Sequence, residues 1–137
     1  MNFLRKKKDL TLVLGGSGKT GRRVAERLRA KGHDVRIGSR SAVPLFDWNN
    51  EKSWGASLKG VTAAYITYAP DLAMPGATDA IQAFVDLAKR RGVKRLVLLS
   101  GRGEEEAQVS ERIVQGSGLE WTIVRASWFN QNFSEGA

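Results

Sequence analysis

The sequence predicts an α/β fold in which helices cover both faces of a doubly wound parallel sheet. Five short apolar runs alternate with stretches of helical periodicity. Each connection between successive runs is long enough for the crossover that parallel strands require. A length of 137 residues suits a single domain with one hydrophobic core. We expect the strand order 3-2-1-4-5, with a ligand site at the carboxyl ends of the strands.

The amino-terminal part of the chain predicts a strand, a helix and a second strand. After a basic lead-in over residues 1–8, an apolar run predicts the first strand at Leu10–Leu14. The first helix is predicted over residues 19–31, because apolar residues recur there at helical spacing and Gly32 follows as a stop signal. The run DVRIG predicts the second strand at Asp34–Gly38.

The remainder of the chain repeats this alternation. Its clearest helix spans residues 78–91, where apolar residues recur at positions i, i+3, i+4 and i+7 from Ile81. The predicted elements are a short helix near 51–58, a strand at 61–67, the helix at 78–91, a strand at 95–99, a helix at 104–115, a strand at 120–124 and a tail over 125–137.

The turn after the first strand is rich in glycine. The sequence reads LTLVLGGSGKTG, in which Gly16, Gly18 and Gly21 form the pattern G-x-G-x-x-G. The first glycine permits a tight turn, the second lets the backbone approach a pyrophosphate, and the third lets helix and strand pack closely. The amide groups at the start of the helix then face the anion. The predicted dinucleotide contacts here are Gly15, Gly16, Ser17, Gly18, Lys19, Thr20 and Gly21.

The same turn has two alternative interpretations. Gly18, Lys19 and Thr20 resemble the end of a nucleoside-triphosphate P-loop, G-x-x-x-x-G-K-[ST], which predicts an ATP-binding module. That motif needs a glycine at the position of Val13, which lies inside the predicted strand. The other alternative is a plain turn that binds no ligand. We favour the dinucleotide.

The end of the second strand bears on the choice of dinucleotide. NAD-binding units usually place Asp or Glu there, about 20 residues after the glycines, to accept a hydrogen bond from the ribose 2′-hydroxyl. Ser39 and Arg40 occupy that end, and Asp34 lies at the other end of the strand. An arginine and a hydroxyl bind a 2′-phosphate, which a carboxylate would repel. The sequence therefore favours NADP(H) over NAD(H), with an exposed loop cation as the alternative for Arg40.

Composition narrows the classes of function. The net charge of +8 suggests nucleic acid, but the basic residues are scattered on helix faces and turns, so we expect no nucleic-acid partner. The alternative to a solvated surface is a positive field that attracts a phosphorylated cofactor. With no cysteine and one histidine, no metal site is expected. No run of residues suits a signal peptide or a membrane span, which predicts a cytoplasmic protein with no membrane partner.

Several segments of the sequence resemble one known family. They are VLGGSGKTGRRVAERL, GSR, FDW, YAPD with PGA, GVKRLVLLSGRGEEEA and SGLEWTIVRASWFNQNF, and together they cover nearly the whole chain. On these segments the chain resembles the NmrA-like, atypical branch of the short-chain dehydrogenase/reductase superfamily. The resemblance implies a single NAD(P)-binding Rossmann domain over residues 1–137, whose tail leads into a substrate region in other members.

The resemblance also implies roles for individual residues. Residues 15–21 would hold the pyrophosphate, and Ser39 and Arg40 would hold the adenosine ribose and its phosphate. Asp47 and Trp48 would lie near the adenine, with a core position as the alternative for Trp48. The residues implied at the nicotinamide side are Tyr68, Ala69, Pro70, Ser100 and the segment 128–132. The alternative role for Ser100 is to end its strand.

Two departures from the family pattern limit the prediction of function. Short-chain dehydrogenases use a Tyr-x-x-x-Lys pair, whose lysine lowers the pKa of the tyrosine for proton transfer. The two tyrosines are Tyr65 and Tyr68, and neither has a lysine four residues later, so no catalytic residue is assigned. Family members are also usually much longer, and the additional part supplies a sixth strand and most of the substrate pocket.

Three functions are therefore considered. The first is the cofactor half of an NADP(H)-preferring oxidoreductase that reduces quinones or other small carbonyl compounds. The second is a non-catalytic redox sensor or scaffold that binds dinucleotide and contacts another protein, or a second copy, through the aromatic tail containing Trp128, Phe129 and Phe133. The third is the ATP-binding module.

Overall fold

The computed structural model of the protein describes residues 9–15, 19–67, 76–101 and 105–126. All the predicted elements are present, with bounds that differ from the prediction by at most two residues. The elements are β1 (Leu10–Leu14), α1 (Lys19–Ala30), β2 (Asp34–Gly38), a 3-10 turn (Glu51–Ser53) that leads into α2 (Trp54–Leu58), β3 (Ala63–Ile66), α3 (Ala77–Arg90), β4 (Arg95–Gly101), α4 (Glu105–Gln115) and β5 (Glu120–Ala126).

The strands form one parallel sheet in the order β2-β1-β3-β4-β5. The predicted class, an α/β fold with a doubly wound parallel sheet, is confirmed, but the predicted order 3-2-1-4-5 is wrong. Residues 39–50, which follow β2, form only an isolated bridge between Asp47 and Asn50, so no described strand pairs with the outer edge of β2. The next strand, β3, pairs instead with the other edge of β1, where Val13 lies opposite Tyr65.

This order places the reversal of winding at β1. The chain passes from β1 to β2 on one side and then crosses to β3 on the other side. A crevice therefore opens between the carboxyl ends of β1 and β3. Doubly wound sheets bind their ligands at such a point.

One face of the sheet carries the main hydrophobic core. Alternate residues of each strand point to this face, and Leu12, Ala64 and Leu96 lie side by side on it, fully buried. Helices α2, α3 and α4 cover the face, and Trp54 and Phe84 are the largest fully buried side chains. Helix α1 packs against β1 and β2 from the opposite side. Helices therefore lie on both faces of the sheet, as predicted.

An arginine on β2 anchors α2 to the sheet. The Nη1 atom of Arg36 donates to the backbone carbonyls of Ser57 and Lys59, each at 2.7 Å. These carbonyls lie at the end of α2, where unsatisfied acceptors and the negative end of the helix dipole favour a cation. The contact ties β2 to the carboxyl end of α2, and the loop of residues 39–50 and the 3-10 turn connect these two elements.

The assigned core predicts the effect of truncating a leucine of α2. Leu58 is fully buried, so Leu58→Ala should lower the free energy of unfolding by about 2–5 kcal/mol. Leu45→Ala is the matched control, because the Leu45 side chain is 47% exposed, and it should change the value by less than about 0.5 kcal/mol. Urea unfolding followed by tryptophan fluorescence measures both variants. Equal losses would contradict the assigned core.

Candidate functional site

A cavity of about 950 Å³ opens at the carboxyl ends of β1, β2 and β3. Its volume is within the range of ordinary small-molecule sites. The described residues that line it are Gly15, Gly38, Ser39, Arg40, Ser41, Phe46, Asp47, Trp48, Asn49 and Thr67. Gly15, the end of the second strand and the Asp47–Trp48 segment, each predicted to contact one ligand, thus share one cavity.

Gly15 marks a close approach between three segments of backbone. Its φ angle is +71°, and its amide donates to the carbonyl of Gly38 at 2.8 Å. A Cβ atom on Gly15 would lie 2.6 Å from the hydroxyl oxygen of Thr67, which itself donates to the carbonyl of Leu14 at 3.0 Å. Glycine is needed here both for the backbone angle and for the space.

The loop after β2 presents hydroxyls and a guanidinium to the cavity. The amide of Phe46 donates to the Ser39 carbonyl at 2.8 Å, which closes the loop and fixes its start. The hydroxyl oxygens of Ser39 and Ser41 lie 3.3 Å apart. Arg40 is exposed, and it makes no hydrogen bond or ion pair with another described residue.

The acidic residue of β2 lies away from the cavity. Asp34 is exposed and pairs in register with Leu10, at the amino ends of their strands. The carboxylate among the described lining residues belongs to Asp47, and its Oδ1 atom accepts the amide of Asn49 at 2.9 Å. The residues that directly follow β2 are therefore neutral or basic, as the sequence indicates.

Trp48 forms a half-buried wall of the cavity. Its indole Nε1 donates to the carbonyl of Thr67 at 3.1 Å, and its ring meets the ring of Phe46 edge-on at a centroid distance of 5.1 Å. The ring also contacts Trp54 and Phe84. Both interpretations of Trp48, cavity wall and core residue, therefore describe its position.

Several lining residues of the cavity were not predicted from the sequence. Thr67 ends the predicted third strand, so the rule that ligands bind at carboxyl ends was a signal for it. Ser41 and Asn49 lie in a loop, and nothing in their local sequence marks them as lining residues. Their position depends on how the loop closes onto Ser39.

Ser100 belongs to a second polar cluster, with residues of α4 and β5. Its fully buried hydroxyl donates to Glu111 Oε2 at 2.6 Å, and the Arg125 guanidinium donates to Glu111 Oε1 at 2.8 Å. Ser100 lies within β4, which continues to Gly101, so Ser100 does not end its strand. It is not among the described residues that line the cavity.

Two buried ionisable groups have shifted pKa values. The Arg125 guanidinium, through its hydrogen bonds, holds the pKa of Glu111 below its ordinary value, even though burial of the carboxyl acts in the opposite direction. The hydroxyl of Ser100 adds to the lowering. Burial raises the pKa of Tyr65 in the middle of β3. This shift is opposite to the one that a catalytic tyrosine requires.

Part of the predicted site lies outside the described residues. Gly21 is buried in the first turn of α1. Lys19 and Thr20 begin that helix, but the structure does not describe their side chains. The other predicted residues outside it are Gly16, Ser17, Gly18, Tyr68, Ala69, Pro70 and the segment 128–132, with residues 1–8 and the rest of the aromatic tail.

Comparison with known proteins gives an independent indication of the ligand. A family model described as NAD(P)H-binding matches residues 15–137. The chain belongs to this NAD(P)H-binding family. It is 33% identical over 142 residues to prestalk A differentiation protein A of Dictyostelium discoideum, a match that covers 91% of this chain and 46% of that protein. It is 34% identical over 143 residues to agroclavine dehydrogenase of Claviceps fusiformis, with 90% and 48% covered.

A solved structure shares the fold of this NAD(P)H-binding chain. A short-chain dehydrogenase/reductase superfamily protein of Agrobacterium tumefaciens, crystallised with bound NAD, aligns with a TM-score of 0.67 and 20% identity, over 85% of this chain and 48% of that one. The predicted Rossmann fold of that superfamily is confirmed, while the NmrA-like branch stays a prediction. The chain spans about half the length of the curated relatives it matches.

Two further findings concern other kinds of site. Each helix in the described part of the chain is too short or too polar to cross a membrane. Within the same residues, no three His, Cys, Asp or Glu side chains are grouped so that they would hold a metal ion.

The geometry of the glycine turn predicts a penalty for any side chain at Gly15. Gly15→Ala should lower the free energy of unfolding by about 1–3 kcal/mol and weaken NAD(P)H binding, because the methyl group meets Thr67 and the positive φ angle is strained. Gly60→Ala is the control, since Gly60 has a φ of +76° with nothing within 4 Å of the added Cβ. It should cost about 1 kcal/mol and leave binding intact. Equal costs would contradict the close approach.

The Glu111 cluster predicts a specific dependence of stability on pH. Glu111→Gln should lower the free energy of unfolding by about 1–3 kcal/mol at pH 7, because hydrogen bonds to a buried charge are weakened. The pKa of Glu111 in the folded state lies below the ordinary value of 4.5. The stabilisation is therefore fully present above about pH 4.5 and is lost as pH falls through the folded pKa.

Urea unfolding between pH 3 and pH 7 measures this loss. The difference in free energy of unfolding between the wild type and Glu111→Gln should become smaller as the pH falls. Glu120→Gln is the control, because its ion pair with Arg95 is exposed and should contribute less than about 1 kcal/mol. A difference that grows in acid, or an equal loss in the control, would contradict the assignment.

Proposed function

We propose that this chain is the NADP(H)-preferring, cofactor-binding part of a reductase that acts on quinones or other small carbonyl compounds. The observation that carries the NADP(H) preference is the end of β2. Ser39 and Arg40 follow this strand and line the same cavity as Gly15, whereas Asp34 lies at the opposite end of the strand.

The preference follows from the charge of the 2′-substituent. A 2′-phosphate carries negative charge, which the Arg40 guanidinium pairs with through two parallel hydrogen bonds, while the Ser39 hydroxyl offers another donor. The 2′-hydroxyl of NAD(H) is usually bound by a carboxylate at this point. Asp47 supplies the carboxylate of the described cavity, and one of its oxygens is already occupied by the Asn49 amide.

We assign the rest of the dinucleotide to the same cavity. We assign the pyrophosphate to residues 15–21, because the amide groups at the amino end of a helix such as α1 favour an anion. We assign the adenine to the wall formed by Asp47 and Trp48. When bound, NADPH supplies a hydride, and the chain holds and orients it. The residues that we assign to the nicotinamide end are Tyr68, Ala69, Pro70 and Ser100.

The reductase activity is supported by the relatives. The chain belongs to a family described as NAD(P)H-binding, and one relative at 34% identity is named a dehydrogenase. Quinones and small carbonyl compounds are hydride acceptors of the kind that such cofactors reduce. The chain spans about half the length of this dehydrogenase. We assign most of the substrate pocket to the other half.

A non-catalytic redox sensor or scaffold is the second candidate. Helix α4 lies where short-chain dehydrogenases carry Tyr-x-x-x-Lys, and its sequence EEAQVSERIVQ contains neither residue. A sensor binds dinucleotide without turnover. An assay of NADPH oxidation across a panel of quinones and carbonyl compounds separates the candidates, since oxidation supports the reductase and binding without oxidation supports the sensor. Titration with ATP on the same sample tests the P-loop alternative.

The proposed role of Arg40 predicts a selective loss of affinity. Arg40→Ala should weaken NADPH binding by about 1.5–3 kcal/mol, the scale of a hydrogen bond to a charged group, with little change for NADH. Isothermal titration calorimetry with both cofactors measures the two affinities.

Arg90→Ala is the control for net charge, because Arg90 is an exposed residue in the last turn of α3 and is not among the described lining residues. It should leave both affinities nearly unchanged. Equal losses for NADPH and NADH in Arg40→Ala would show that Arg40 does not bind the 2′-phosphate.

A further inference from the structure

Thr67 connects two parts of the cavity that are far apart in sequence. Its hydroxyl donates to the Leu14 carbonyl at 3.0 Å, directly before the glycine turn. Its own carbonyl accepts the indole N–H of Trp48 at 3.1 Å. The hydroxyl oxygen also occupies the space 2.6 Å from where a Cβ of Gly15 would be. A single residue thus touches both the glycine turn and the Trp48 wall.

We propose that Thr67 is a positioning residue that sets the spacing between the glycine turn and the Trp48 wall. A dinucleotide bound across the cavity needs its pyrophosphate at the turn and its adenine at the wall at the same time. The hydroxyl of Thr67 holds the start of the glycine turn through the Leu14 carbonyl, and the carbonyl of Thr67 holds the Trp48 ring through its indole N–H. This inference rests on the proposed dinucleotide site. It assigns to Thr67 the spacing between the residues that bind the two parts of the dinucleotide.

The hydroxyl acts where the backbone pairing of the strands has ended. The register between β1 and β3 runs from Thr11 opposite Ala63 to Val13 opposite Tyr65. Leu14 therefore has no partner residue in β3, and the Thr67 hydroxyl provides the described contact between the two strand ends. Without it, the carbonyl of Leu14 loses its bond to the β3 segment, and Gly15 is held by its bond to Gly38 on the β2 side.

The opposite end of the same two strands offers a matched control. The hydroxyl of Thr62 also bonds to β1, accepting from the Leu10 amide at 3.2 Å and lying 3.3 Å from the Leu10 carbonyl. Thr62 is five positions before Thr67, which places it about 16 Å away along the strand direction. It is not among the described residues that line the cavity. Both hydroxyls join β1 to the β3 segment, but only one of them faces the proposed site.

The experiment compares Thr67→Val, which removes the hydroxyl, with Thr67→Ser, which keeps it, and with Thr62→Val. Affinities are measured by calorimetry for NADPH and for adenosine 2′-monophosphate, which has no pyrophosphate. Thr67→Val should weaken NADPH binding about 5- to 10-fold, the scale of one net hydrogen bond. Its affinity for adenosine 2′-monophosphate should stay within about 2-fold, since this probe does not engage the turn. Thr67→Ser and Thr62→Val should bind both ligands within about 2-fold of the wild type.

A second measurement detects the same effect without ligand. The amide of Gly15, which donates to the Gly38 carbonyl, should exchange its hydrogen faster in Thr67→Val than in the wild type, and at the wild-type rate in Thr62→Val. Thr67→Ala, which also lacks the hydroxyl, repeats the test with a different side chain.

Three results would overturn the inference. Similar NADPH affinities in Thr67→Val and Thr62→Val would show that the hydroxyl has no special role at the site. A loss in Thr67→Ser as large as in Thr67→Val would exclude the hydroxyl as the cause, and parallel losses for both ligands would indicate general destabilisation. Failure of the proposed function is distinct, because the wild-type protein would then bind neither NADPH nor NADH.

Discussion

The whole site depends on how closely the backbone can approach itself at the end of β1. Gly15 lies within hydrogen-bond distance of the Gly38 carbonyl, and its missing side chain leaves the place that the Thr67 hydroxyl occupies. A larger residue would push β3 away from β1 or turn the start of α1 away from the cavity. The bond to Gly38 brings the end of β2 beside Gly15. The positions of the proposed phosphate and ribose contacts therefore depend on the close packing of Gly15 against Gly38 and Thr67.

The secondary structure was predictable because its signals are local, whereas the strand order was not. The apolar run of β1 and the helical spacing of α3 each lie within a few residues. Strand order depends on pairing between distant segments, and here it depends on whether residues 39–50 form a strand. Pro44 has no amide to donate, and the amide of Asn49 bonds the Asp47 side chain in a turn. The loop therefore leaves β2 at the edge.

The candidate site was predictable where its residues follow strands. Ser39 and Arg40 were predicted to lie near the glycine turn because the carboxyl ends of parallel strands meet at one edge of the sheet, and both residues line the cavity with Gly15. The contact between Ser100 and Glu111 was not predicted, because the local sequence around Glu111 indicates only a helix. Glu111 meets Ser100 and Arg125 because β4 and β5 stay in register up to Gly101 and Ala126. Such pairing is a property of the folded sheet.

The hydrogen bond between Ser100 and Glu111 also fixes the direction of the Ser100 hydroxyl hydrogen. An ionised carboxylate can only accept hydrogen bonds, so the single hydrogen of the Ser100 hydroxyl is committed to Glu111. The oxygen of Ser100 then has only lone pairs to offer to any other group. Toward a carboxamide or a sugar hydroxyl such an oxygen is an acceptor. It is not an acid that protonates a substrate, so in the proposed reductase the proton would have to come from another group or from water.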